Sequence, residues 1–209
     1  MNNQTSGRTA SLPSGSDTES RILAAAAGLF AAQGFRKSTM REIANAAHLN
    51  EVTIYRYFPA KRELCWRAVD WKMRNANVAA LLVRPLTKLG GPKEHLVKFC
   101  RAALELLNDE PTLARLLYFT GLELEPSERK AIFSNHMKPV LTALLFRLRA
   151  WITSGEIRQV DPETAAMGIL GVVLSQVQLT ELMGLGIASP KSIERLSSEY
   201  ADLCMRGLR

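Results

Sequence analysis

The sequence predicts an all-α fold. Apolar residues recur at helical spacing through most of the chain, no segment shows convincing period-two alternation, and glycine or proline residues separate the helical segments. At 209 residues, with 47% hydrophobic and 22% charged residues, the chain is typical of a globular protein with an ample core. We expect about nine helices, three in an N-terminal unit and six in a C-terminal domain.

Residues 1–16 are polar, lack hydrophobic periodicity and are predicted to be disordered. The N-terminal unit is expected at residues 17–64 and the C-terminal domain at residues 65–209. Gly34 should stop the first helix, and Arg84-Pro85 should end the fourth. The nine predicted helices cover residues 17–33, 39–47, 50–58, 61–83, 92–108, 111–121, 126–154, with a kink at Pro139, 162–183 and 190–206.

Residues 38–64 have the pattern of a helix-turn-helix, an element that places its second helix in a DNA major groove. Thr39 and Glu42 form a predicted capping box at the first helix. Asn50 is a suitable cap for the second helix, which Pro59 should end. Val52 and Ile54 are expected to face the core. The residues left for the groove face are Glu51, Thr53, Tyr55, Arg56 and Tyr57.

The positive charge of the chain is concentrated near this motif. The formal net charge is +7; residues 1–75 carry 11 Lys and Arg against 6 Asp and Glu, whereas residues 76–209 carry 16 against 14. A basic surface that served solubility alone would be spread evenly. The asymmetry therefore favours contact between the N-terminal third and phosphates, with Lys61 at the start of the next helix as one donor.

The stretch from Ile22 to about Val69 resembles the DNA-binding domain of the tetracycline-repressor (TetR) family. The matching residues are Ile22 to Ala26, Leu29-Phe30, Gly34-Phe35, Thr39, Ile43-Ala44, Ala47, Tyr55 to Pro59, Lys61 and Leu64. The resemblance implies a transcriptional regulator without enzymatic activity or cofactor, most simply a repressor of a palindromic operator. It also implies phosphate contacts by Thr39, Tyr57 and Lys61, and base or groove contacts by Thr53 and Tyr55.

Three positions depart from the family pattern. His48 stands where a turn glycine is usual, so this residue is expected to adopt a positive φ. Ala60 replaces the usual polar cap before Lys61, at a cost of about 1 kcal/mol. Glu51 places a carboxylate at the start of the recognition helix, where it suits the helix dipole but repels phosphate unless it accepts from a cytosine amino group.

The last two predicted helices point to a homodimer. Helix 162–183 is apolar or small on nearly every face, so it must be buried within the domain or between subunits. In the resembled family the last two helices of each subunit form a four-helix interface, and a dimer doubles the base pairs that are read. The expected interface residues are Leu170, Leu174, Val177, Leu196, Tyr200 and Leu203.

The resemblance also implies a pocket for a small effector in the C-terminal domain. Aromatic and apolar side chains with a few polar groups are typical of such sites, although each of them is more often ordinary core. They favour an apolar or aromatic ligand. Helix 61–83 would carry the signal from the pocket to the reader. The candidate pocket residues are Trp66, Phe99, Leu117, Tyr118, Phe133, Met137, Met167 and Gln176.

Other chemistry is poorly supported by the sequence. No segment reaches about 18 uninterrupted apolar residues, so we expect no membrane span. Three scattered cysteines fit a reducing cytoplasm, and the dispersed histidines lack metal-site spacing. Two alternatives stay open. Cysteine oxidation, at Cys65 beside Lys61 and Arg62, or a protein partner could gate the regulator instead of a ligand. An enzyme that merely contains a helix-turn-helix is the third hypothesis.

Overall fold

The computed structural model describes residues 15–88, 90–120, 123–184 and 190–208, and within them it confirms the all-α prediction. Eleven α-helices and one π-helical turn make up this part of the chain. The predicted tail lies outside the described residues except for Gly15 and Ser16, which begin the first helix. The helices are α1 Gly15–Lys37, α2 Met40–Ala46, α3 Glu51–Tyr57, α4 Lys61–Asn75, α5 Val78–Thr87, α6 Pro92–Asp109, α7 Pro111–Thr120, α8 Pro126–Ile132, α9 Lys138–Ser154, α10 Pro162–Met183 and α11 Pro190–Leu208.

Helix α1 is interrupted where the sequence predicts its end. Gly34 has φ 79° and ψ 171°, so it leaves the helical conformation, and the short stretch to Lys37 points in a new direction. A positive φ of this size is available to glycine at little cost. The break brings Ser38 and Thr39 to the start of α2.

The predicted helix 61–83 is divided into α4 and α5. Asn77 separates them in the left-handed conformation, with φ 51°, which asparagine tolerates better than most residues. The predicted end at Arg84-Pro85 is wrong, because Pro85 lies inside α5. Proline there removes one backbone hydrogen bond. Burial of Leu82 and Leu86 on the inner face of α5 offsets that loss.

The predicted helix 126–154 is also divided, into α8, a π-helical turn at Phe133–Met137 and α9. Pro139 lies in the first turn of α9, where a missing N–H costs little. The irregularity expected at Pro139 therefore falls just before it, in the π-helical turn.

One continuous apolar core joins the N-terminal helices to the rest. Helix α7 packs along α1, α6 packs against α11, and α4 contacts both α1 and α7. Buried side chains run without a break from Ile22 in α1 to Leu208 at the end of α11. The N-terminal unit is thus supported on the C-terminal domain through α1, α4 and α7.

Candidate nucleic-acid interface

Helix α3 is anchored by its inward face. Ile54 and Phe58 are buried, and Tyr57 packs partly against the same core. The Asn50 side chain accepts a hydrogen bond from the Val52 amide at 2.9 Å, so the predicted cap is present. These contacts fix a seven-residue helix that is too short to be stable alone.

Two of the five predicted groove residues are exposed on the outward face of α3. Tyr55 is 47% exposed and Arg56 is exposed, whereas Glu51, Thr53 and Tyr57 are half-buried. The expected inward position of Val52 is wrong, since its side chain is 66% exposed. Val52 stands two residues before Ile54, about 200° around a helix, so burial of Ile54 turns Val52 outward.

Arg21, which the sequence analysis missed, supports the turn between α2 and α3. Its Nη2 atom donates to the Ala47 carbonyl at 2.7 Å, near the end of α2. The next residue, His48, has the predicted positive φ, at 53°. A guanidinium on the last carbonyls of α2 satisfies acceptors that would otherwise lack a partner. The contact spans 26 residues, and no local pattern signals it.

Thr39 is the predicted cap of α2. Its hydroxyl accepts from the Glu42 amide at 3.2 Å and donates to the Glu42 carboxylate at 2.8 Å, while the Thr39 amide donates to the same carboxylate. The hydrogen bonds from Thr39 hold the pKa of Glu42 below its usual value. The side chain thus orders the N-terminus of α2 and is exposed at the surface.

Lys61 makes contacts within the protein. Its ammonium donates to the carbonyls of Phe35 and Ser38, each at 2.9 Å, and lies 4.3 Å from the Phe35 ring centroid. These bonds tie the first turn of α4 to the segment after the Gly34 break. Ala60 provides no side-chain cap, as its sequence predicts. Lys61 therefore positions the motif, whatever contact it makes with phosphate.

The eight predicted pocket residues differ in their burial. Phe99 is core, and Gln176 is buried beside Tyr200, whose hydroxyl donates to it at 2.7 Å. Phe133 and Met167 are exposed, and Trp66, Leu117, Tyr118 and Met137 are half-buried. Four surface cavities of about 490, 820, 670 and 400 Å³ lie among the described residues, and none of the eight lines any of these four.

Five of the six predicted dimer residues have exposed or half-buried side chains on α10 and α11. Leu174 is 50% exposed and Leu203 is 60% exposed, while Leu170, Leu196 and Tyr200 are half-buried. The side chain of Val177 is outside the described part of the structure. Met167 on α10 is exposed as well, and Leu203 lines the cavity of about 490 Å³. Exposed leucines at helical spacing are typical of a surface that another protein covers.

The cysteines are poor candidates for reactive thiols. Burial raises the pKa of Cys65 to about 12, with the nearby Glu128 carboxylate adding to the effect, and burial raises the pKa of Cys100 to about 12 as well. Because the thiolate is the reactive form, both side chains are unreactive at neutral pH. Within the described residues no group of His, Cys, Asp or Glu side chains suits a metal ion, and no helix there could span a membrane.

A short capped helix with an exposed polar and aromatic face, anchored by the buried Ile54 and Phe58, is typical of a helix-turn-helix DNA-binding regulator. The family description "Bacterial regulatory proteins, tetR family" matches residues 22–66, and "AefR-like transcriptional repressor, C-terminal domain" matches residues 94–206. The second match alone covers more than half of the chain. The protein belongs to the TetR family of transcriptional regulators.

Individual proteins agree with this assignment. An uncharacterised HTH-type transcriptional regulator of Mycobacterium bovis is 26% identical over 167 residues, covering 80% of this chain and 84% of that protein. FadR of Bacillus subtilis in complex with stearoyl-CoA aligns with a TM-score of 0.72 at 23% identity, over 90% of this chain and 98% of FadR. AibR in complex with isovaleryl coenzyme A and operator DNA aligns with a TM-score of 0.73 at 19% identity, over 90% and 98%.

Proposed function

We propose that the protein is a homodimeric repressor that binds a palindromic operator through α3 and is released from it by a small apolar ligand. The observation that carries this proposal is the outward face of α3, where Val52, Tyr55 and Arg56 protrude from a helix fixed by Ile54 and Phe58. An exposed, rigid helix face of this kind fits a major groove. In this proposal the operator is cytoplasmic DNA, so the protein acts in the cytoplasm and binds no membrane.

The residues divide into two roles in this proposal. Thr53, Tyr55 and Glu51 read base edges, with Val52 added as an apolar contact for a thymine methyl group. Arg56, Tyr57, Thr39 and Lys61 hold the phosphate backbone, the last two from the helix N-termini that they order.

Two recognition helices are needed because one seven-residue helix reads few base pairs. Leu170, Leu174, Leu196, Tyr200 and Leu203 provide the apolar face on which a second copy would pack, with Val177 on the same helix. A two-fold axis through this face makes the interface self-complementary, and it makes the operator a palindrome.

The proposed effector follows from the C-terminal domain. FadR and AibR, which share the fold, are named in complexes with acyl-CoA molecules. An acyl chain is apolar, in agreement with the ligand class expected from the sequence. Trp66, Leu117, Tyr118 and Met137 have half-buried side chains that suit the wall of a pocket that opens on binding. Phe99 and Gln176 would contribute if the opening reaches the core, and Phe133 and Met167 would contribute from the surface. Release requires a ligand that favours a second orientation of the recognition helices.

Gating by cysteine oxidation is the less favoured alternative, because burial raises the pKa of Cys65 to about 12. Cys65→Ser should leave any response to peroxide unchanged. A response that disappears in this variant would restore the redox alternative.

The test of the proposed function is genomic selection by the purified protein. Sheared DNA from the source organism is incubated with the protein, and the retained fragments are sequenced. We expect a recurrent palindrome whose binding weakens steeply with salt, and release by acyl-CoA in a second selection. Absence of enrichment at low salt, with protein that has been unfolded and refolded to remove bound ligand, would contradict the proposal.

A further inference from the structure

Helix α4 joins the DNA-binding domain to the C-terminal domain, and one segment, residues 123–137, holds it by polar contacts at two points. The first point is Arg62, in the first turn of α4. The second is Asp70, eight residues further along. The side chains at these two points differ in how deeply they are buried.

At the first point, three carboxylate residues hold two arginines of the DNA-binding domain. Arg62 Nη2 lies 3.0 Å from Glu125 Oε1, and Arg62 Nη1 lies 3.5 Å from Glu128 Oε2 and donates to the Glu123 carbonyl at 3.1 Å. Arg36, which follows the break in α1, has its Nε 3.1 Å from Glu123 Oε1. We name Glu123, Glu125 and Glu128 the acidic clamp.

At the second point, Asp70 is buried. His136 Nε2 donates to Asp70 Oδ1 at 2.8 Å, Asn135 Nδ2 donates to the same oxygen at 3.2 Å, and Arg74 Nε lies 3.0 Å from Oδ2. Burial raises the pKa of Asp70, but these hydrogen bonds and the charge of Arg74 together lower it below its usual value. Since His136 belongs to the π-helical turn, α4 is fixed there to an equally buried partner.

The two points therefore differ in strength. Hydrogen bonds to a buried carboxylate are strong and costly to break. The Arg36–Glu123 and Arg62–Glu125 pairs of the acidic clamp lie at the surface, whereas the Glu128 side chain that Arg62 also contacts is only 14% exposed. Surface ion pairs are weak and screened by salt. Helix α4 is thus held firmly at Asp70 and loosely at Arg62.

The separation of Arg62 and Asp70 along α4 determines how much α4 tilts when the clamp contacts lengthen. Eight residues of helix span about 12 Å. If the ion pairs of the clamp lengthen by about 2 Å while the Asp70 contacts persist, α4 tilts by about 10°. The DNA-binding domain lies beyond Arg62 and moves further still. Successive base pairs are about 3.4 Å apart, so such a tilt changes which half-site separation fits.

We propose that the acidic clamp positions the DNA-binding domain, through Arg62 and Arg36, and thereby sets the half-site separation that the dimer accepts. Asp70 and His136 hold the point about which α4 tilts, and the acidic clamp limits the extent of the tilt. This inference rests on the proposed dimeric function, because a separation exists only between two recognition helices.

The experiment measures spacing selectivity. Duplexes that carry the selected palindrome with the centre shortened or lengthened by one or two base pairs are titrated with wild type and with the double variant Glu125→Gln, Glu128→Gln at one salt concentration. We expect the preference of wild type for its best spacer over the neighbouring ones to fall about threefold to fivefold in the double variant, as loss of one exposed and one partly buried ion pair allows. Affinity for a single half-site should be unchanged.

Glu63→Gln is the matched control. Glu63 lies in the same turn of α4 but pairs with Arg67 of its own helix, so spacing selectivity should remain that of wild type. A double-mutant cycle with Arg62→Gln should show that the arginine and the glutamates act through each other. Unfolding temperatures identify any variant that is merely misfolded.

The outcomes separate the two proposals. A wild type that binds no palindrome would overturn the proposed function itself. A wild type with sharp spacing selectivity that the clamp variants retain would overturn the clamp alone. A loss of selectivity equal in Glu63→Gln and in the double variant would also overturn it.

Discussion

Val52 is an apolar side chain near the start of α3 and is 66% exposed to solvent. If it packs against a thymine methyl group, deoxyuridine in place of that thymidine should weaken wild-type binding about fourfold, the value of one buried methyl group. Val52→Ala should lose this sensitivity. Fluorescence anisotropy with operators substituted one thymine at a time measures both effects.

The control for this experiment is Leu81→Ala, which shortens an exposed apolar side chain on α5 and should keep the sensitivity of wild type. Sensitivity that persists in Val52→Ala at every thymine would show that Val52 touches no methyl group.

Lys61 donates to two carbonyls that lose their donor if the ammonium is removed. We expect Lys61→Met to lower the free energy of unfolding by about 1–3 kcal/mol, the cost of unsatisfied buried acceptors. Lys37→Met, at an exposed position adjacent to Ser38, should change it by less than about 0.5 kcal/mol. Urea denaturation of the three proteins measures the difference.

The same variants test the phosphate contact of Lys61. If the ammonium also meets a phosphate, the slope of log affinity against log salt should fall by about 1 in Lys61→Met. An unfolding free energy equal to that of wild type would refute the positioning role, whatever the salt slope.

At this scale the sequence predicts the residues whose roles are local. The capping box of Thr39, the cap of Asn50, the bare position of Ala60 and the positive φ of His48 all follow from short-range patterns. The exposure of Val52 and the hydrogen bond of Arg21 do not follow from such patterns. Val52 faces outward because Ile54, two residues later, is buried. Arg21 reaches the Ala47 carbonyl because the fold brings α1 beside the turn between α2 and α3.

Among the elements, α1 offers a matched pair of glycines. Gly34 has a φ of 79° with no atom near the place of a Cβ, so Gly34→Ala should destabilise through backbone strain alone, by about 1–3 kcal/mol. Gly28 is helical and equally open. Gly28→Ala should therefore stabilise by about 0.5–1 kcal/mol. Thermal unfolding of both variants gives opposite shifts, and shifts of the same sign would contradict this account.

The end of a helix can be predicted where a residue disfavours the helical backbone, and is harder to predict where tertiary packing determines it. Gly34 interrupts α1 as expected. Pro85 does not end α5, because Leu82 before it and Leu86 after it are buried in the core. Nothing local in residues 61–83 signals the break at Asn77, since asparagine is common in exposed helices as well as between them.

For the molecule as a whole, the exposed face of α10 and α11 should decide association. Leu203→Glu places a carboxylate on that face, and we expect a monomer with greatly weakened binding to the full palindrome. Phe146→Glu is the control, because Phe146 is 70% exposed on α9, outside this face. Analytical ultracentrifugation distinguishes them, and a Leu203→Glu variant that sediments as wild type would exclude the interface.

The class of fold and the family could be predicted from the sequence because both depend on periodicity and on one ordered motif. The pocket residues stay a prediction. They share only apolar character, which core, pocket wall and dimer surface have in common. Separation of those three environments needs the packing of α6, α7, α10 and α11, and no local pattern encodes it.

The three cysteine thiols differ in burial, so their chemical labelling can report on association of the protein. Cys65 and Cys100 are buried, whereas Cys204 is half-buried and lines the cavity beside Leu203. A maleimide should therefore modify one sulfur per chain, slowly, because burial also raises the pKa of Cys204. A second copy on this face would shield that sulfur. The labelling rate should then fall as protein concentration rises, so that the untagged protein reports its own association constant.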